Sequence, residues 1–242
     1  MIEKKVLIFD VDGTICESCQ QITEEFAYLL DEIAEKYVIV FISGSTIDQI
    51  YLQISSLVAK EHHLMGSSGA EYSLIKEGGE KITKFTSKLP DKDKNTIISA
   101  FEDLIKEYNI TSLTTKDDQL QDRGSQVTLS ALGRHAPKEL KEQYDQFSEK
   151  RTVWSAYLRA KLPKDRFDIK IGGTTSIDIT RKGIDKGEGI KRWAKENHIE
   201  LKNITFYGDK LRPGGNDHSA TKYVKCIEVE DIFDCYYKLR NV

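Results

Sequence analysis

Val6-Leu7-Ile8-Phe9-Asp10-Val11-Asp12-Gly13-Thr14 is an apolar run that ends in two carboxylates one residue apart, followed by glycine and threonine. Four consecutive apolar residues read as a strand covered on both faces. Two acids at its carboxyl end make a compact site for an oxygen-loving cation and a phosphoryl group. An Asp-x-Asp-Gly turn can also end a strand with no chemistry attached, so the weight of this stretch depends on what the rest of the chain supplies.

Working outward, Ile22, Phe26, Leu29, Leu30 and Ile33 recur at the spacing of a helix with one buried face. Tyr37-Val38-Ile39-Val40-Phe41-Ile42 is a second continuous run of the parallel-strand kind, and it ends at Ser43-Gly44-Ser45. Ile47, Ile50, Tyr51, Ile54, Leu57 and Val58 mark a second helix, and a short strand at 63–65 leads to Gly66-Ser67-Ser68-Gly69. This alternation predicts an α/β fold with a doubly wound, Rossmann-like parallel sheet. Such sheets receive ligands beyond the carboxyl ends of their strands, where Asp10, Asp12 and Ser43 all fall.

The rhythm changes over 85–182. Lys88-Leu89-Pro90-Asp91 opens a helix with the stripe Ile97, Ile98, Phe101, Leu104, Ile105 and Tyr108, and residues 126–132 alternate with a period of two, as a half-exposed antiparallel strand does. A polar helix over 137–161 follows, then two short runs at 167–171 and 174–179 hinged at Gly172-Gly173. We read 85–182 as an α+β cap domain inserted into a discontinuous core of 1–84 and 183–242. The core resumes at Gly183-Ile184-Asp185-Lys186-Gly187 with a helix centred on Ile190 and Trp193. The strand Ile204-Thr205-Phe206-Tyr207 then ends in Gly208-Asp209, and a strand at 223–229 and a helix at 230–239 close the chain.

Composition narrows the function. The chain has 242 residues, 39% hydrophobic and 31% charged, with a net charge of −3. A mildly acidic protein has no large positive field to recruit nucleic acid or anionic membranes. No apolar run approaches a bilayer span, and Met1-Ile2-Glu3-Lys4-Lys5 leads into a strand rather than a signal peptide, so the expectation is a soluble, cytoplasmic protein. Cys16 and Cys19 form a C-x-x-C, with Cys226 and Cys235 far downstream. A zinc site is conceivable, but strand and helix positions that need a small apolar residue explain the latter pair better.

A carboxylate nucleophile such as Asp10 can take a phosphoryl group as an acyl phosphate. A second carboxyl two residues on, Asp12, could protonate the leaving oxygen and deprotonate the incoming one. A neighbouring carboxylate raises its pKa and a bound cation lowers it, so spacing alone leaves the sign open. Gly208-Asp209-Lys210-Leu211-Arg212-Pro213-Gly214-Gly215-Asn216-Asp217 supplies two acids on a glycine-rich loop after a strand. Hard Mg²⁺ prefers a few carboxylates, a carbonyl and waters, and it neutralises a phosphate that an anion must attack. Lys186 could screen the remaining charge, and Ser43 could donate a hydrogen bond to a phosphoryl oxygen.

These four elements, Asp10-Val11-Asp12-Gly13-Thr14, Ser43, Lys186 and Gly208-Asp209 through Asn216-Asp217, resemble the motifs of the haloacid-dehalogenase (HAD) superfamily of phosphotransferases. Within it, nearly the whole chain resembles the eukaryotic-type phosphomannomutases. Arg123, Gly133-Arg134, Gly172-Gly173, Ser176-x-Asp178, Gly183-x-Asp185-Lys186 and Pro213-Gly214-Gly215-Asn216-Asp217-His218 recur in that pattern. The resemblance implies a HAD core performing transfer at Asp10 and a cap that grips a hexose phosphate. Asp10 is then the nucleophile, Asp12 the general acid/base, and Ser43 and Lys186 the phosphate contacts. Mg²⁺ is held by Asp10, Asp209 and the carbonyl of Asp12, with Asp217 orienting the metal shell or Lys186. Gly44, Arg123, Arg134, Lys141, Ser176, Asp178 and Asn216 complete the expected substrate-binding set, and a homodimer through the cap is implied by the same likeness.

The chain departs from the mutase pattern where Cys19 and Lys141 replace arginines and where Ser43 replaces a common glycine; Asp185-Lys186-Gly187 reads more like the branch's phosphatases. A lysine keeps charge but loses the planar fork of arginine. A mutase grips a bisphosphate in two orientations and suffers more from weakened grips than a phosphatase does. The reading preferred from sequence is therefore a Mg²⁺-dependent phosphatase of sugar phosphates or similar small phosphometabolites. The alternatives are a phosphomannomutase and a non-catalytic sugar-phosphate-binding protein. His135 reads as a surface residue.

Overall fold

Every side chain of β1 (Val6–Asp10) is buried, and the strand lies at the heart of a seven-stranded sheet. The structure is a computed structural model that describes residues 5–242; the reading of Met1-Ile2-Glu3-Lys4 as a lead into the first strand lies outside the described residues. Strand order is β11-β10-β1-β2-β3-β4-β5, with β2 (Val38–Ile42), β3 (His62–Gly66), β4 (Glu71–Ile75), β5 (Lys81–Thr86), β10 (Ile204–Gly208) and β11 (Lys225–Glu228). From β11 to β3 all neighbours are parallel, and β3–β4 and β4–β5 are antiparallel.

Period-two geometry sends alternate residues of β1 to opposite faces. Leu7 and Phe9 join a cluster with Phe26 and Leu30 of α1 (Glu24–Ala34), Ile47 and Ile50 of α2 (Ile47–Ile50), and Cys235 and Leu239 of the C-terminal helix at Ile232–Leu239. Val6 and Ile8 pack on the other side with Ile190 and Trp193 of the helix at Lys186–Glu196. The sheet is thus covered on both faces, as the doubly wound α/β reading requires. Among the described residues no helix is long and apolar enough to cross a membrane.

The chain divides into two compact units. One runs to Thr86 and resumes at Asp185–Val242; the other is Ser87–Ile184. The sequence put these junctions at 84/85 and 182/183. The observed junction falls later because Phe85 and Thr86 still pair with Tyr72 and Glu71 of β4.

Within the inserted unit, α3 (Asp91–Glu107), α4 (Lys116–Gln119), β6 (Leu120–Asp122), β7 (Gln126–Ser130), α5 (Lys138–Tyr144), α6 (Glu149–Lys161), β8 (Phe167–Gly172) and β9 (Ser176–Arg181) follow in order. The antiparallel sheet runs β6-β7-β9-β8. Ile97, Phe101 and Leu104 of α3, with Trp154 and Leu158 of α6, cover Val127, Leu129, Ile177 and Ile179. The resumed core then adds α7 (Lys186–Glu196) and α8 (Ile232–Leu239).

Four local expectations are corrected. β7 is buried on both faces, not half-exposed, because its polar side chains bond inward: Gln126 Nε2 donates to Thr128 Oγ1 at 2.8 Å and Thr128 Oγ1 to Asp178 at 2.7 Å. The helix expected over 137–161 is two helices, since Ser148 adopts φ 58° and Asp145 folds back to cap the second helix through the amides of Lys150 and Arg151. The second core helix is a short α-helical turn continued by a π-helical turn at Tyr51–Ser55 and stops before Leu57. β11 and α8 are shorter than expected, with Asp231 capping α8 through the Asp234 amide. The edge strand β5 carries no clear pattern in the sequence, since it is exposed or half-exposed throughout, and its neighbour β4 is not among the expected strands either.

Candidate functional site

Asp10, Asp209 and the first residue of α7 come together at the carboxyl end of the parallel sheet. Asp10 is 3% exposed and its Oδ1 accepts the Val11 amide at 2.7 Å and lies 2.5 Å from Lys186 Nζ. The same ammonium, 1% exposed, donates to Asp217 Oδ1 at 2.5 Å. A buried ammonium costs several kcal/mol to desolvate, and two carboxylates in contact offset that cost. They push the Lys186 pKa upward against the effect of burial, so this lysine stays charged. Burial pushes the Asp10 carboxyl up, to about 8; Asp217 adds to the rise and Lys186 opposes it.

Local folding places these groups. Asp185 caps α7, its Oδ1 accepting the Glu188 amide at 2.9 Å, so the helix starts at Lys186. α7 approaches the turn after β3 so closely that a Cβ on Gly189 would lie 2.8 Å from Gly69 Cα. Asp217, fully buried, also accepts the Lys210 amide at 3.1 Å through Oδ2, which folds the 208–217 loop back on itself. Ser43, 2% exposed, follows Ile42, the register partner of Asp10, and its Oγ accepts the Ser45 amide at 3.0 Å.

Oxygens of Asp10, Asp209 and Asp217 lie within 4.8 Å of one another. Asp209 Oδ2 pairs with the half-exposed Lys210 ammonium at 2.8 Å, whereas Asp209 Oδ1 is buried with no hydrogen-bond partner. Two of the three carboxylates share the buried Lys186 ammonium and the third meets only the half-exposed Lys210, so the orphaned Asp209 Oδ1 is an acceptor open to a further positive partner. An all-oxygen set of this kind suits a hard divalent cation. Asn216 Oδ1 is likewise buried without a partner. Gly13, at φ +84°, leaves room for this carboxylate: a Cβ there would lie 2.9 Å from Asp209 Oδ2.

Asp12 is half-buried, and its Oδ1 accepts the Cys19 amide at 2.8 Å and Gln53 Nε2 at 3.1 Å. Cys19, at φ 61°, contributes its backbone, and its thiol is exposed. All four cysteines are free, and among the described residues the only acidic, cysteine or histidine cluster of metal-holding geometry is the aspartate group.

In the inserted unit, Ser176 and Asp178 share one face of β9. Ser176 Oγ lies 3.1 Å from Ser130 Oγ, and Asp178 Oδ1 accepts from Thr128 at 2.7 Å. Burial raises the Asp178 pKa, opposed first by the Arg123 charge, which places this guanidinium in the field of Asp178. Arg123 also donates to Gln121 Oε1 through Nε and Nη2. Arg134 lies on the loop after β7, and Lys141 Nζ donates to its carbonyl at 2.9 Å. His135 is exposed and paired with Asp118 at 2.5 Å. Gly44 and Asn216 belong to the core unit, on the loops that follow β2 and β10.

Two groups escaped the sequence reading. Gln53 sits in an amphipathic stretch where a polar residue signals a solvated face, yet it is 7% exposed and bonded to Asp12. Arg151, 2% exposed, donates to Asp145 Oδ2 at 2.7 Å and to the carbonyls of Gly172 and Gly173 at 2.9 Å each. In sequence it is one of many charges on a polar helix.

A doubly wound core with paired aspartates after the first strand, a buried lysine and an acidic loop defines a HAD-fold phosphotransferase. The fold is shared with a haloacid dehalogenase-like hydrolase from B. subtilis, at TM-score 0.63 and 13% identity over 98% of this chain and 99% of that one. It is also shared with an N-terminally truncated, IMP-bound IMP-nucleotidase from Plasmodium falciparum, at TM-score 0.70 and 15% identity over 99% of this chain and 69% of that one. The sequence profile described as eukaryotic phosphomannomutase matches residues 26–232, so the chain belongs to that family. Among its relatives, the phosphomannomutase of Encephalitozoon cuniculi is 26% identical over 98% of this chain and 93% of its own length. That of Spinacia oleracea is 26% identical over 88% and 84%.

Proposed function

We propose that this protein is a Mg²⁺-dependent phosphosugar mutase, with a hexose phosphate such as mannose 1-phosphate as substrate and Asp10 as the residue that carries the phosphoryl group in transit. This is the alternative in the sequence reading. Family membership across residues 26–232 favours it over the phosphatase. The observation that carries the chemistry is the buried Asp10–Lys186–Asp217 chain beside the unpartnered Asp209 Oδ1.

Asp10, Asp209 and the carbonyl of Asp12 are the residues to hold Mg²⁺, with Asp217 orienting Lys186. The ion supplies charge neutralisation, which lets an anionic carboxylate approach an anionic phosphate. A carboxylate oxygen of Asp10 attacks phosphorus, the bond from phosphorus to the sugar oxygen breaks, and that oxygen takes a proton from Asp12. In return, a sugar hydroxyl gives its proton to Asp12 and attacks the acyl phosphate, which frees Asp10. Lys186 and Ser43 act on phosphoryl oxygens, and Gly44 and Asn216 contribute from the same strand-end loops. Arg123, Arg134, Ser176 and Asp178 bind the sugar and its distal phosphate.

The phosphatase is kept as a second reading on one observation: Cys19 and Lys141 stand at arginine positions, and the Lys141 ammonium is spent on the Arg134 carbonyl. Purified protein with Mg²⁺ and mannose 1-phosphate, with and without a hexose bisphosphate, separates the two. We expect mannose 6-phosphate that depends on the bisphosphate. Release of inorganic phosphate as the sole product, with or without it, would transfer the assignment to the phosphatase.

A further inference from the structure

We propose that Gln53 is a positioning residue for the acid/base step. It locks the Asp12 carboxylate by engaging Oδ1 and so leaves Oδ2 as the oxygen that exchanges the proton. This rests on the reading of Asp12 as general acid/base.

An amide NH₂ has two hydrogens to give. Gln53 Nε2 lies 3.1 Å from Asp12 Oδ1 and 3.2 Å from the Gln20 carbonyl, with the more remote Cys16 Sγ at 3.7 Å. Both close partners are pure acceptors, so chemistry fixes the orientation of the amide: reversed, it would set oxygen against oxygen twice. The backbone carbonyl of Gln53 also accepts the Ile22 amide at 2.9 Å. Gln53 therefore ties together the loop after β1 at two points, Asp12 and Ile22, and is itself 7% exposed.

The second donor to Asp12 Oδ1 is the Cys19 amide at 2.8 Å, and no hydrogen bond among the described residues engages Oδ2. Two N–H groups on one oxygen hold the carboxylate against rotation about χ2 and occupy that oxygen. The π-helical turn at Tyr51–Ser55 makes this possible. Such turns are rare and occur frequently at functional sites. Here the turn brings Gln53 inward between the buried Ile50 and Ile54.

A positioning role for a general acid has a kinetic signature that loss of packing does not share. The step depends on proton donation when the leaving oxygen is basic and not when it is a stabilised anion. The test follows single-turnover phosphorylation of Asp10, with Mg²⁺ present, from phenyl phosphate and from 2,4-dinitrophenyl phosphate. For Gln53→Leu we expect phenyl phosphate to slow by about 10- to 100-fold, a part of the 10²- to 10⁴-fold that general acid catalysis supplies. The dinitrophenyl ester should slow by less than about threefold. Gln53→Met, unbranched and close in size, repeats the measurement should the leucine variant fail to give a cooperative unfolding transition. Equal losses on both esters in a folded variant, or no loss on either, would overturn the proposal. Asp12→Ala runs alongside: if it shows no dependence on leaving group, the assignment of Asp12 is what fails, and if it shows one that the Gln53 variants lack, the role of Gln53 fails alone.

Discussion

Lys186 is held between Asp10 and Asp217, 2.5 Å from an oxygen of each, and all three are nearly or wholly buried. Removing one partner of a buried ion pair leaves an uncompensated charge and costs about 3–5 kcal/mol. Lys186→Met is expected to lose stability of that order in denaturant unfolding, with turnover falling in parallel. Added Mg²⁺ should recover part of the loss, because a cation beside Asp10 and Asp209 replaces some of the missing charge; a variant as stable as the parent would show that the pair contributes nothing. Asp10, Lys186, Asp209 and Asp217 were legible from sequence because each stands next to a strand or helix end and the set belongs to one pattern. Gln53 was not, since its partner Asp12 is 41 positions away. A glutamine on a helix says nothing about which way a π-helical turn will point it.

At the scale of elements, the polarity of a strand misled where its partners are polar too. Gln126, Thr128 and Ser130 alternate with apolar residues, and that alternation implies a wet face. Their bonds to one another, to Asp178 and to Ser176 dry it instead. The break between α5 and α6 had no signal either, because a serine at φ 58° carries no mark in sequence. What holds the break is the Asp145–Arg151 pair, with both side chains 3% exposed, and Arg151 extends it to the Gly172-Gly173 turn that precedes Ser176. Arg151→Met should therefore destabilise the inserted unit by about 3–5 kcal/mol. The measurable companion is a raised KM for the sugar phosphate with a smaller change in kcat, since the turn leads into β9. An unchanged KM in a folded variant would disconnect this pair from substrate binding.

Across the whole molecule, the order of strands and helices was readable because both faces of the central strands are apolar, whereas the antiparallel pair β4 and β5 at one end of the sheet and the small elements α4 and β6 were not. The helix that begins at Lys186 is tied to β3 by a buried polar knot. Trp193 Nε1 donates to His63 Nδ1 at 3.2 Å, and the Tyr72 hydroxyl lies 2.8 Å from the same nitrogen. Burial pushes the His63 pKa down from 6.5 to about 4. Below pH 6.5 the unfolded chain takes up a proton that the folded chain refuses until about pH 4, so this contribution to stability is complete above the upper value and is lost as pH falls between the two. Unfolding midpoints measured between pH 7 and 4.5 should fall, and His63→Gln should flatten the dependence; an unaltered slope in that variant would assign it to other groups.

In the proposed mutase the phosphoryl group rests on Asp10 and then returns to a sugar. The most direct test of this loads the protein with hexose bisphosphate labelled in phosphorus and chases with unlabelled mannose 1-phosphate and Mg²⁺. We predict an acid-trappable acyl phosphate on Asp10, absent from Asp10→Asn, whose label reappears in a sugar phosphate. Label that passes to inorganic phosphate alone with the sugar acceptor present, or that never reaches Asp10, would contradict it.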